Sequence, residues 1–225
     1  MAVKKSELYS SLWQSCDELR GTMDASQYKD YVLVILFVKY VSDRFGGKPN
    51  SLVEVPDGGS FDDLLALRNK PNIGDETNKV IAKLAAANGL DGVITVADFN
   101  DPVKLGTGKD MVDLLTNLFN IFNNPALNFS ANTAAGDDLL GDAYEYLMRH
   151  FATESGKAKG QFYTPAEVSR VLAAVIGLSE ASSTDQTIYD PTCGSGSLLL
   201  KAHELAYSET GLDLAVYGQE NDNAT

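Results

Sequence analysis

A short glycine-bearing stretch, YDPTCGSGSLLL at residues 189–200, has the residue types and spacing of a ligand-binding loop. Asp190 ends an apolar run, and Gly194-Ser195-Gly196 turn the chain into a second one. Glycines let the backbone adopt positive φ angles and let a ligand approach the main chain closely. The backbone amides at the start of the following helix would then face that ligand. The stretch therefore indicates a binding loop at the carboxyl end of a strand.

The ligand of this loop is narrowed by comparison with known loop patterns. A phosphate-binding loop requires a lysine directly after its last glycine, but Ser197 follows Gly196. A dinucleotide fingerprint requires a third glycine where this chain has Leu199, so that match is partial. Glu220 ends the next apolar run, where an acidic residue commonly binds ribose hydroxyls. These features favour an adenosine-bearing ligand, while a dinucleotide and a tight turn without ligand stay open.

The elements that must position the loop follow one another from residue 158 to residue 225. Thr164 has the pattern of a helix N-cap, with Pro165 at the first helical position and Glu167 two residues later. A short strand, TIYD, then leads into the glycine loop, and Gly211 ends the helix that follows it. A second strand is predicted in LAVYGQE. This order predicts the opening of a parallel α/β sheet.

The region before residue 158 has the apolar periodicity of helices. Ser60 with Asp63 predicts one helix start, and a further helix is expected from Asp75 to a stop at Gly89. The longest apolar run, YVLVILFV, has only eight residues, whereas crossing a bilayer takes about 20. The prediction is an α-helical N-terminal domain at 1–157, followed by the beginning of an α/β domain at 158–225, with no membrane span.

Composition excludes several other classes of protein. The net charge is −13, with seven basic and six acidic residues among the first 50 and the acidic excess in the remainder. Nucleic-acid binders usually carry a basic face. Most of any affinity for DNA should therefore come from another chain. Cys16 and Cys193 provide neither a disulfide framework nor paired metal ligands, which fits a cytoplasmic protein. His150 and His203 lie in helical patterns, and we assign no metal ligand.

Four stretches of this chain resemble one known family. DPTCGSGSLL resembles the first motif of S-adenosylmethionine-dependent DNA adenine-N6 methyltransferases, and GQFYTPAEV resembles the cofactor motif that precedes it in this class. MDASQYKDYVLVILFVKYVSDRF resembles the N-terminal helical domain of the modification subunit of type I restriction-modification systems. YEYLMRHFA resembles the segment that leads into the methyltransferase domain. The resemblance spans essentially the whole chain and implies a Rossmann-like methyltransferase domain from residue 158 onward.

The resemblance also implies roles for individual residues. Asp190 would anchor the amino group of S-adenosyl-L-methionine, and Glu220 would bind its ribose. The loop residues that would wrap the methionine end are Gly194, Ser195, Gly196 and Ser197. The upstream motif adds Gln161, Phe162, Tyr163, Thr164 and Pro165 to the cofactor site. The implied partners are the specificity and restriction subunits of a type I system, with double-stranded DNA in the full complex.

The catalytic motif of this family, Asn or Asp followed by Pro-Pro and Phe or Tyr, lies after the glycine loop and holds the flipped base. No such motif follows Gly196, and Asn124-Pro125 lies upstream with Ala126 in place of the second proline. We therefore expect an N-terminal fragment with a truncated methyltransferase domain, no catalytic residue and no methylation activity alone. The alternative is a non-catalytic assembly or regulatory module that binds a partner subunit through its helical domain.

Overall fold

The computed structural model divides the chain into two compact units, Met1–Lys157 and Ala158–Thr225. The residues that it describes are 3–20, 25–48, 51, 53–131, 143, 146–147, 166–194 and 196–221. The predicted helix cap at Thr164 and Pro165 lies outside these ranges. Within them, no helix is both long and apolar enough to cross a membrane.

The first unit is built of helices around a buried apolar core. The helices whose bounds are described are α1 (Lys5–Leu19), α2 (Ala25–Phe45), α3 (Phe61–Leu65), α4 (Ile73–Asn88), α5 (Pro102–Leu105) and α6 (Lys109–Phe122). Two short 3-10 turns follow at Pro125–Leu127 and Phe129–Ala131. Helix α6 contacts every helix from α1 to α5. Its apolar residues recur at the helical period and are buried, including Leu115, Leu118 and Phe119, so α6 is the centre of this core.

The start of α3 confirms the helix signal predicted from the sequence. The Ser60 hydroxyl accepts a hydrogen bond from the Asp63 amide at 3.2 Å. The Asp63 carboxylate in turn accepts one from the Ser60 amide at 2.9 Å. This reciprocal pair satisfies two amides that the first helical turn would otherwise leave without partners.

Replacing Ser60 with alanine is expected to lower the free energy of unfolding of the first unit by about 1 kcal/mol. The change removes the acceptor for the Asp63 amide and leaves the rest of α3 unaltered. Urea unfolding followed by the fluorescence of Trp13, the one tryptophan of the chain, measures this loss within the first unit. Ser10→Ala, at an exposed position inside α1, is the matched control and should cost nothing. Equal effects of the two changes would contradict the capping role.

Helix α4 begins earlier than the sequence pattern indicates. It starts at Ile73 instead of Asp75, and it ends before Gly89, which has a φ angle of 66°, as expected. The backbone of the following loop lies directly against Gly74, because a Cβ built there would lie 2.5 Å from the Phe99 carbonyl oxygen. Gly74 has a low helix propensity. It nevertheless lies inside α4, because Ile73 before it is buried and because only a residue without a side chain fits against Phe99.

The loop beside Gly74 is held to α2 by a buried tyrosine. The Tyr31 hydroxyl donates a hydrogen bond to the Asp98 carbonyl oxygen at 3.0 Å. The Tyr31 ring packs edge-to-face on Phe99, with 5.1 Å between the ring centres. Burial, and then the nearby carboxylates of Asp101 and Asp98, raise the pKa of Tyr31 above its usual value. The phenol therefore stays protonated and remains a donor.

A second buried polar contact joins α2 to the 3-10 turn at residue 129. The Lys39 ammonium lies 2.8 Å from both carboxylate oxygens of Asp43. The exposed fractions of the two side chains are 11% and 17%. Asp43 Oδ2 also accepts a hydrogen bond from the Phe129 amide at 3.0 Å. Asp43 is therefore shared between a charge on its own helix and a backbone donor 86 residues away.

The second unit contains two helices and a small parallel sheet in its described part. Its elements are α7 (Ala166–Val175), β1 (Thr187–Asp190), α8 (Ser197–Thr210) and β2 (Ala215–Gly218). Strand β1 pairs with β2 in parallel register, from Thr187 opposite Ala215 to Asp190 opposite Gly218. Both strands and the helix end at Gly211 lie where the sequence predicted them. Two parallel strands joined by a helix form the basic α/β unit, and a Rossmann-like continuation of it stays a prediction.

The core of the second unit is small, and it leaves one side of α7 uncovered. Ala173, Ile188 and Leu199 are among its buried residues, and α7 packs against α8. The apolar residues that α7 and the turn after it expose, by 43 to 76%, are Val168, Val171, Leu172, Val175 and Ile176. Tyr189 and Tyr217, which pair across the two strands, are also more than half exposed. The second unit therefore exposes apolar surface on its sheet as well as on α7.

Candidate functional site

The glycine loop leaves β1 at Asp190 and enters α8 with two residues in the left-handed region. Gly194 has a φ angle of 53° and Gly196 one of 78°. The Gly196 amide donates a hydrogen bond to the Cys193 carbonyl oxygen at 2.8 Å, which closes the turn. A Cβ built on Gly196 would meet no atom of the described chain within 4 Å, so the space beside it is open. The loop thus requires glycine for its backbone angles and leaves room for a ligand.

The residue after β2 bridges both sides of this turn through its backbone. The Gln219 amide donates a hydrogen bond to the Asp190 carbonyl oxygen at 2.9 Å. The Gln219 carbonyl oxygen accepts one from the Cys193 amide at 3.0 Å. The Tyr189 hydroxyl donates a hydrogen bond to the Gln219 side-chain oxygen at 2.9 Å. Backbone hydrogen bonding between the two chain segments therefore continues past β1 and β2, and it fixes the position of the start of the loop.

Glu220 reaches the loop with its side chain. Its Oε2 atom accepts a hydrogen bond from the Gly194 amide at 2.9 Å, and its Oε1 atom accepts one from the Asn221 amide at 2.7 Å. The fold thereby brings together two predicted site residues, Gly194 and Glu220, that lie 26 positions apart in sequence. The carboxylate faces the loop, and the side chain is exposed to solvent.

Asp190 adds a second carboxylate to the same loop. Its Oδ1 atom accepts hydrogen bonds from the Thr192 amide at 2.9 Å and the Thr192 hydroxyl at 3.3 Å. This local turn orients a half-buried aspartate at the end of β1. Two carboxylates beside one loop attract cationic groups and accept bonds from hydroxyls, whereas they repel a phosphate. The two carboxylates therefore suit a ligand that carries both a cationic group and hydroxyls.

Gly218 supports the loop from behind, although it is not among the predicted site residues. A Cβ built on Gly218 would lie 2.7 Å from the Cys193 sulfur and 2.9 Å from the Leu199 Cδ1 atom. Cys193 and the start of α8 can therefore lie against β2 because position 218 has no side chain. A glycine at the end of a predicted strand was the available signal, since such glycines often mark close approach of another segment.

The structure places part of the predicted cofactor site and leaves the remainder undescribed. It brings Asp190, Gly194, Gly196 and Glu220 into one loop region. Only the backbone of Ser197 is described, as the first residue of α8. The predicted residues that lie outside the described ranges are Gln161, Phe162, Tyr163, Thr164, Pro165 and Ser195. Their roles stay predictions.

A cleft in the first unit is also lined by polar side chains. Its volume is about 420 Å³, and its lining includes Asp43, Asp57 and Asp63. Two of these carboxylates already have structural partners, since Asp43 pairs with Lys39 and Asp63 caps α3. The cleft therefore reflects the packing of α2 and α3, and it contains none of the predicted site residues.

Two family models match this chain in sequence. The model described as "HsdM N-terminal domain" matches residues 8–122, and the model described as "N-6 DNA Methylase" matches residues 135–225. The first match begins within α1 and extends to the end of α6, and the second includes the glycine loop.

Individual relatives give the same result. The type I restriction enzyme MjaVIII methylase subunit of Methanocaldococcus jannaschii is 30% identical over 99% of this chain and 39% of that protein. The MpnII methylase subunit of Mycoplasma pneumoniae is 28% identical over 95% of this chain and 47% of that protein. This chain thus spans about two fifths to one half of the length of these curated relatives.

A solved structure has a similar fold. It is a type I restriction-modification system methyltransferase subunit from Streptococcus thermophilus, and it superposes with a TM-score of 0.76 at 25% sequence identity. The superposition covers 98% of this chain and 54% of that chain. The likeness therefore extends over both units.

Proposed function

Because this chain belongs to the family of methylase subunits of type I restriction-modification systems, we propose that its glycine loop is part of an S-adenosylmethionine site. That site would serve the transfer of a methyl group to N6 of adenine in DNA. The observation that carries the proposal is the meeting of the Glu220 carboxylate and the Gly194 amide, in a loop that also holds Asp190. Family membership supports the reaction class, and these residues would supply the chemistry of the site.

The residues of the loop fit this cofactor by charge and by shape. S-adenosylmethionine supplies, when bound, a methyl group activated on a cationic sulfonium, and it also carries an ammonium and ribose hydroxyls. Asp190 would hold the ammonium, and Glu220 would accept bonds from the ribose hydroxyls. Gly194 and Gly196 leave the main chain open to close approach. The ammonium of S-adenosylmethionine gives Asp190 a cationic partner, which favours this cofactor.

We extend the same proposal to the upstream motif and the rest of the loop. Gln161, Phe162, Tyr163, Thr164 and Pro165 would contact the cofactor from the side that precedes α7. Ser195 and Ser197 would lie along its methionine end. These assignments rest on the family motifs.

The partners in this proposal are the specificity subunit and the restriction subunit of a type I system, acting on double-stranded DNA. The charge of this chain supports such a division of labour. Its net charge is −13, and affinity for DNA comes largely from cationic groups that displace counterions from phosphates. Sequence reading and most of the DNA contact would then belong to another subunit.

We also propose that residues 1–225 bind the cofactor without transferring the methyl group by themselves. The sequence after Gly196 contains no Asn or Asp followed by two prolines, and this motif would hold the extruded adenine. A loop that binds cofactor and a motif that binds the base are separate requirements, and this stretch supplies only the first.

Titration of the purified chain with S-adenosylmethionine tests the proposal. Calorimetry should give a dissociation constant in the micromolar range, and Asp190→Ala should weaken binding about tenfold or more because a charge-assisted bond is lost. Asp185→Ala, an exposed loop aspartate of the same unit, is the matched control and should bind as the parent chain does. Absence of binding at millimolar cofactor would overturn the cofactor site. Methyl transfer to DNA by residues 1–225 would overturn the proposal that this stretch binds the cofactor without transferring the methyl group.

A further inference from the structure

The contacts between β2 and the loop lead to one further inference. We infer that Glu220 is a positioning residue, which holds the glycine loop in its binding shape before any ligand arrives. The consequence for ligand affinity rests on the proposed function, whereas the positioning itself rests on contacts within this chain. Ribose binding and loop positioning are separate roles, and the experiments below distinguish them.

Three consecutive residues support the loop, each in a different way. Gly218 supports it through the missing side chain, which admits Cys193 and Leu199. Gln219 supports it through its backbone, which bonds to both sides of the turn. Glu220 supports it through its carboxylate, which accepts the Gly194 amide. The segment 218–220 therefore contacts the loop at both of its ends and at its first glycine.

Glu220 carries the support to the first glycine of the loop. The backbone bonds of Gln219 extend along the loop as far as the Cys193 amide. Gly194 is the next residue and adopts a φ angle of 53°, a conformation that glycine samples freely among alternatives. A bond to a charged acceptor is stronger than one between neutral groups. The Gly194–Glu220 bond thereby selects one backbone conformation at the position where the chain turns toward α8.

A loop that is already shaped binds its ligand more tightly, because the entropy of ordering is not lost on binding. Each carboxylate oxygen has two acceptor positions. Glu220 can therefore keep the Gly194 amide while accepting bonds from ribose hydroxyls. It follows that loss of Glu220 should weaken contacts made by the loop as well as the contact to ribose.

Amide exchange in the ligand-free full chain tests the positioning role without any cofactor. By nuclear magnetic resonance, the Gly194 amide proton should exchange about tenfold more slowly in the parent chain than in Glu220→Ala. Glu220→Gln should retain most of this protection, since its side-chain oxygen still accepts a hydrogen bond. Glu209→Ala, an exposed glutamate on α8, is the control and should leave the rate unchanged. Equal Gly194 exchange rates in the parent chain and Glu220→Ala, with Ile188 protected in both, would overturn the inference.

Affinity measurements then separate loop positioning from ribose binding. The probes are S-adenosylmethionine and its 2′,3′-dideoxy analogue, each titrated into the parent chain, Glu220→Ala and Glu220→Gln. If Glu220 positions the loop, Glu220→Ala should still bind the dideoxy analogue about tenfold more weakly than the parent does, and Glu220→Gln should recover most of that loss. Equal affinity of the parent and Glu220→Ala for the analogue would restrict Glu220 to ribose and overturn the effect on binding. If S-adenosylmethionine fails to bind the parent chain, the proposed function fails, and the exchange rates alone decide the positioning role.

Discussion

Replacing Asp43 with alanine is expected to lower the free energy of unfolding of the helical unit by about 2–4 kcal/mol. The change leaves the Lys39 ammonium, whose exposed fraction is 11%, without its carboxylate partner. It also leaves the Phe129 amide without the oxygen that accepts its hydrogen bond. The value is set somewhat below that of a fully buried pair because both side chains retain some contact with water.

The chain offers a matched control for this prediction. Lys109 and Asp113 have the same spacing on α6 and form an ion pair, but their side chains are 84% and 51% exposed. Asp113→Ala should therefore cost far less than Asp43→Ala, because water screens an exposed ion pair. Urea unfolding followed by Trp13 fluorescence compares the two variants within the helical unit. A loss for Asp43→Ala no larger than that for Asp113→Ala would contradict the prediction.

A further variant at position 43 separates the two contacts of the carboxylate. Asp43→Asn keeps an oxygen acceptor for the Phe129 amide but removes the charge that faces Lys39. We expect the free energy of unfolding of Asp43→Asn to lie between those of the parent chain and Asp43→Ala, because only the ion pair is removed. A loss equal to that of Asp43→Ala would assign the whole effect to the charge.

Replacing Gly218 with alanine is expected to weaken S-adenosylmethionine binding by about 5- to 150-fold, the equivalent of the 1–3 kcal/mol that overpacking typically costs. The new methyl group would lie 2.7 Å from the Cys193 sulfur and 3.1 Å from the Cys193 Cβ atom. The loop would have to move away from β2, and the Cys193–Gln219 and Gly194–Glu220 hydrogen bonds would lengthen with it. Calorimetric titration measures the change in affinity.

Two variants distinguish loop displacement from a general loss of stability. Gly211→Ala, at the end of α8, places alanine at a φ angle of 70° and should lower stability by about 1 kcal/mol without changing affinity. Adding Cys193→Ala to Gly218→Ala removes the sulfur that the new methyl group meets and should recover part of the affinity. The prediction is wrong if Gly218→Ala binds as tightly as the parent chain, or if Gly211→Ala weakens binding to the same extent.

Much of the secondary structure could be predicted from the sequence because its signals are local. The Ser60–Asp63 cap, the Gly89 and Gly211 helix ends and the two strands around the glycine loop all depend on residues within a few positions of one another. The family could likewise be identified from short motifs in a characteristic order, and the two family models agree with that identification. Such features survive in a sequence because backbone propensity and capping act over one or two turns.

The start of α4 shows where local signals fail. Gly74 has a low helix propensity, yet it lies inside the helix because the Phe99 carbonyl oxygen approaches it too closely for any side chain. Local signals also fail for Lys39 and Asp43. Their spacing on a helix is typical of an ordinary surface ion pair. The approach of Phe129, 86 residues away, makes Asp43 a structural residue. Neither contact has a local pattern, since each depends on which segments the core brings together.

For the candidate site, the sequence by itself determined which residue types surround the glycine loop and that an acidic residue follows the next strand. It did not determine that Glu220 bonds to Gly194, or that Gly218 gives Cys193 its place. The tertiary structure decided these contacts, because parallel pairing of β1 with β2 sets the register that brings residues 218–220 beside the loop. Register depends on backbone hydrogen bonds between distant segments and on side chains packed around them, so only the folded chain specifies it.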